Sequence, residues 1–116
     1  MVVRDGDVRT AQLDTTALIT AVDRFADRLR AAPQSRLRRG AAAEGLAAAR
    51  ELAVRAQRAE APDREPRVMP DAGMFAVGDQ LAVAGRDLAV ALETAPSVEL
   101  DEAVRCVDEA AARAFA

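Results

Sequence analysis

Three groups of side chains carry the residue types from which chemistry could be built. The first is a run of arginines, Arg24, Arg28, Arg30, Arg36, Arg38 and Arg39, opposed within that stretch only by Asp27. Guanidinium groups grip carboxylate and phosphate in a two-pronged fashion, so such a cluster suits an acidic protein partner or nucleic acid. The second is the pair Asp101-Glu102, repeated seven residues later as Asp108-Glu109. Oxygen donors of this kind are what hard cations take. The third is Cys106, the single cysteine. A catalytic thiol needs a base or a cationic setting, and only Arg105 is adjacent in sequence.

The missing residue types limit what these groups can do. The 116-residue chain contains no His, Trp or Tyr, and no Lys or Asn. Without His there is no imidazole base, no Ser-His-Asp arrangement and no His metal ligand. Without Lys there is neither a Schiff base nor a phosphate-binding lysine. One Cys forms no internal disulfide and no zinc knuckle. Gly73, Gly78 and Gly85 do not follow a strand and so match no dinucleotide fingerprint. The expectation is a non-enzymatic protein with no catalytic residues, no metal and no cofactor. In this reading the acidic pairs form a solvated face and Cys106 is structural.

Lys, Asn and Tyr, which are absent, and Ile and Phe, which are scarce, share AT-rich codons, which fits a GC-rich bacterial genome, and Arg then fills the role Lys fills elsewhere. The net charge of −3 hides an asymmetry: residues 1–58 sum to +4 and residues 59–116 to −7. Two expectations follow for the arginine cluster. It pairs with acidic helices bearing Glu99, Asp101, Glu102, Asp108 and Glu109, within the chain or across a homodimer. Otherwise it meets an acidic protein partner. Nucleic acid is a less favoured alternative, because the chain is acidic overall and offers no aromatic platform for bases.

The elements that must position these groups are helices. Apolar residues make up 51% of the chain, but 29 of them are Ala, while Leu, Ile, Val and Phe together number 26. An Ala-rich core buries little area per residue, so helices must approach closely, and self-association becomes favourable. Helical spacing predicts four elements, over about 14–32, 35–61, 70–95 and 98–115, forming an all-α antiparallel four-helix bundle. The first has Asp14 or Thr15 as its cap and the stripe Leu18, Val22, Phe25, Leu29. The second buries Leu46 and Leu52 among alanines, and the fourth has the stripe Leu100, Ala103, Val104, Val107, Ala111 and Ala114. Gly40 and Gly45 either weaken the second helix or permit a close crossing. Residues 13–116 make one helical domain. Residues 1–12 form a flexible arm, or a short hairpin on Asp5-Gly6. No apolar run is long enough for a membrane span, and the N-terminus has no signal-peptide pattern, so a cytoplasmic location is expected.

The third helix differs from the others. Its main stripe is Met74, Val77, Leu81, Leu88 and Leu92, yet Phe75, Val83 and Val90 fall near one line on the opposite side. A helix apolar on two sides is either central in its own domain or faces a partner. Asp79 and Gln80 are expected to be partly buried here, with Arg86 as the in-helix partner of Asp79. The function this implies is a protein-interaction module, an adaptor or regulatory partner, docking through Phe75, Val83, Val90 and Arg86. A small apolar ligand held between Ala- and Gly-lined helices is a further alternative.

Overall fold

Each helix forms where the apolar spacing requires it, and local chemistry sets its ends. The computed structural model describes residues 12–116. The arm or hairpin expected over 1–12 thus lies, apart from Gln12, outside the described residues. Helix α1 spans Thr16–Ala31. The Asp14 carboxylate accepts the Thr16 N–H at 2.9 Å, closing one of the free donors of the first turn. Hydrogen bonds from the Thr16 side chain and backbone hold that carboxyl below the usual carboxylate range. The α1 stripe is buried as its spacing predicts, with Leu18, Val22, Phe25, Ala26 and Leu29 all inaccessible. Pro33 ends α1 by forcing Ala32 into extended backbone.

A short helix α2, Gln34–Arg36, then leads through a wide turn, Leu37–Ala41, into α3, Ala42–Glu60. Gly40 sits in that turn at φ 143°, a conformation that side-chain-bearing residues rarely adopt, so the second predicted helix is broken where its first glycine falls. Helix α4 spans Val77–Leu92 and α5 spans Ser97–Ala114. The third predicted helix therefore starts seven residues late. Gly73 has φ 97° and its N–H is taken by Asp71 Oδ1 at 2.8 Å, which makes a turn where Pro70 alone suggested a helix start.

The four long helices share one core, in which Leu52, Leu81, Leu88, Leu92 and Val107 are fully buried beside the α1 stripe. Helices α1 and α4 come close because Gly85 lacks a side chain. A Cβ there would lie 2.6–3.0 Å from the Val22 side chain.

The all-α bundle expected from the sequence is what the chain forms, but the helix directions do not alternate. Val77, at the start of α4, lies beside Gly45, near the start of α3, so these two helices run parallel. The chain returns between them along α3, held by side chains acting on its backbone. Gln57 accepts from Arg67 N at 2.8 Å and donates to Arg67 O at 3.0 Å. Further along, Arg50 Nε donates to Met69 O at 2.8 Å, and Gln80 Nε2 donates to Pro70 O at 2.9 Å. Helix α5 runs antiparallel to α3, clamped by Arg55–Glu102 at 3.5 Å and Arg113–Glu44 at 2.9 Å. No described helix is long and apolar enough to cross a membrane.

Candidate docking surface

Helix α4 buries one side against α1 and α3 and leaves the other open. On the open side Val83 is 61% and Val90 62% exposed, and Phe75, in the turn leading into the helix, is 73% exposed. The line therefore lies off the core of its own chain, and burial of α4 on two sides is not what the structure shows. The fold also explains why Val83 and Val90 point outward. The positions that face α1 are Gly78 and Gly85, whose missing side chains leave room only for its backbone, Arg30 and Val22. Val83 and Val90 are thereby turned to solvent, in register with Asp79, Arg86 and Asp87, which are also exposed.

The charges on this face are arranged differently from the sequence expectation. Asp79 is exposed rather than partly buried, and its partner is Arg30, with Nη2 and Nε at 2.8 and 3.1 Å from Oδ1. Arg86 instead reaches across to α1, where its Nη2 lies 3.1 and 3.3 Å from the two Asp23 carboxylate oxygens. The reason is reach: α4 lies against α1, so each long side chain on its flank finds the carboxylate or guanidinium opposite before it finds one along its own helix. Gln80 is half-buried, bound to Pro70 O through Nε2, and its Oε1 has no hydrogen-bond partner among the described residues.

Sequence reasoning missed one member of this surface. Val68, in the returning segment, is 72% exposed and lines an open groove of about 520 Å³ with Ala53, Met69, Pro70 and Asp87. The groove reaches α4 only at Asp87. A valine next to Met69-Pro70 was the available signal, but it lies in a segment without periodicity, where outward and inward positions cannot be told apart.

Arg28, Arg30, Arg36, Arg38 and Arg39 gather toward the end of the bundle where α1 stops, α3 begins and α5 stops, while Arg24 lies midway along α1 in a groove with Asp108. Within the chain the cluster forms no ion pair with the acids of α5. Of its six members only Arg30 forms ion pairs with described residues, to Asp27 and Asp79. Arg28 lies over the Phe115 ring, its Cζ 4.0 Å from the centroid, and Arg36 approaches the same ring at 5.9 Å. Phe115 meets Phe25 edge to face at 6.2 Å, so that aromatic is committed to the core. Arg24, Arg38 and Arg39 are exposed. Among the acids expected to answer the cluster, Glu102 is held by Arg55 instead, while Glu99, Asp101, Asp108 and Glu109 are exposed and form no ion pair with any described residue. Asp108 lines a shallow groove with Arg24 and Arg28, and Glu99 and Glu102 line another with Arg55 and Arg58, so acids and arginines are interspersed along the bundle.

Cys106 is half-buried on α5. Burial pushes its thiol above the ordinary range, and the charge of Glu51 pushes in the same direction. A thiol held protonated is a poor nucleophile. Among the described residues no three acidic or cysteine side chains converge to hold a metal. Compared with family models, with curated proteins and with solved structures, the chain matches none of them.

Proposed function

We propose that this protein is a non-enzymatic interaction module whose docking surface is the outer face of α4. The observation that carries this reading is the exposure of Val83 and Val90 on a helix whose other side is fully packed, with Phe75 exposed in the turn leading into it, more than 60% each. Large exposed apolar side chains set among charged neighbours have the composition of a partner-binding patch. Arg86 and Asp79 are fixed by α1 at the flank of the patch and present charge in set positions. The arginines at the basic end speed the approach of an acidic partner.

The test is a photo-crosslinking residue placed at Val83 or Val90 in the full chain in its native cell, with Ala112 on the exposed side of α5 as the control position. One discrete crosslinked species from Val83 and Val90, and none from Ala112, is expected. No species from either α4 position overturns the reading.

A second reading rests on a separate observation. Arg24, Arg28, Arg36, Arg38 and Arg39 form no ion pair with any described residue, which suits a polyanion such as nucleic acid. Binding to DNA or RNA that falls steeply with salt, and weakens when Arg36, Arg38 and Arg39 become Ala, is its signature. Phe115 offers no stacking platform in this reading, since Arg28 and the core cover it.

A further inference from the structure

The geometry points to a second copy of this chain as the occupant of the α4 face, packed antiparallel about a two-fold axis that passes between Arg86 and Asp87. This rests on the reading of that face as a docking surface and names its partner. The exposed positions are Val83, Arg86, Asp87 and Val90. In an antiparallel pair of α4 helices centred there, Val83 of one copy stands level with Val90 of the other. Arg86 then stands level with Asp87, and the symmetry makes each of these pairings twice. Parallel packing would instead bring Arg86 to Arg86 and Asp87 to Asp87, setting like charges together. The direction is thus chosen by charge and the contact is supplied by the valines.

Arg86 is prepared for this role. Asp23 binds only its Nη2, so Nε and Nη1 make no hydrogen bond to a described residue and stay available for a carboxylate of the second copy.

One helix pair with its flanks lies at the small end of specific interfaces, about 1,200 Å² in total, so the dimer is concentration-dependent rather than obligate.

Sedimentation equilibrium of the full chain, from micromolar to near-millimolar concentration and at low and high salt, tests this. A monomer–dimer equilibrium that weakens with salt is expected. Val83→Glu combined with Val90→Glu gives a monomer with unchanged helical circular dichroism. Arg86→Asp alone and Asp87→Arg alone each weaken the dimer by about tenfold or more, because each sets like charges opposite one another twice. An equimolar mixture of those two variants recovers wild-type strength, since both cross-pairs are then of opposite sign. A chain that stays monomeric throughout, a dimer indifferent to the valine substitutions, or a mixture no tighter than its components overturns the inference. If the chain is monomeric while Val83 still crosslinks to another protein, self-association alone is lost. If neither occurs, the docking surface is lost as well.

Discussion

At the scale of single residues, the groups best suited to chemistry are restrained by where the fold puts them. Cys106 is the clearest case. Burial and Glu51 both raise its pKa, so the neutral thiol is the form the folded chain prefers. The stability this contributes is fully present below the ordinary thiol range and is lost as pH rises through the raised folded value. Alkylation of native Cys106 by iodoacetamide should therefore be slower than that of an unfolded cysteine at neutral pH, with its midpoint displaced to higher pH. Glu51→Gln should move the midpoint back down. Gly85 gives a second prediction. Alanine is favoured over glycine inside a helix by about 1 kcal/mol. At Gly85, however, the added Cβ comes within 2.6–3.0 Å of Val22, whose branched side chain is stiff at χ1 in a helix. Overpacking should win, so Gly85→Ala costs about 1–3 kcal/mol net. Adding Val22→Ala should recover part of that, as a double-mutant cycle in urea would show.

At the scale of elements, the least expected piece is the segment between α3 and α4. Periodicity along 42–60 and 77–92 was enough to identify both helices and their buried stripes, because burial against one core repeats every 3.6 residues. Their relative direction was not legible, because it depends on how residues 61–76 are stored. That segment lies back along α3 because Gln57, Arg50 and Gln80 satisfy its backbone with their side chains. Such bonds between distant positions leave no mark on hydropathy. Removing the Gln57 pair should loosen the segment without unfolding the bundle. Two hydrogen bonds at about 1 kcal/mol each predict a 5–30-fold faster tryptic cleavage after Arg64 and Arg67 in Gln57→Ala, with the thermal transition little changed.

At the scale of the whole molecule, one apolar cluster joins all four long helices. Leu88 is fully buried within it, so Leu88→Ala should cost about 2–5 kcal/mol, a large share of the stability of a domain this size. Because the cluster is shared, the loss should appear as a single shifted transition by circular dichroism and by amide exchange in every helix. Val83→Ser lies outside the cluster and should change stability by less than about 0.5 kcal/mol. The contrast between those two substitutions separates the face that folds the chain from the face left for a partner.

The sequence by itself determined the helical class, the buried stripes, and the chemistries closed by missing His and Lys, since these follow from residue type and local spacing. It also singled out Phe75, Val83 and Val90 as lying off the main stripe. Only the tertiary structure decided that this line is uncovered, that Arg86 answers Asp23 and Arg30 answers Asp79, and that α3 and α4 run parallel. Those facts depend on which distant segments meet. Periodicity records which side of a helix is apolar, and it does not record what lies against that side.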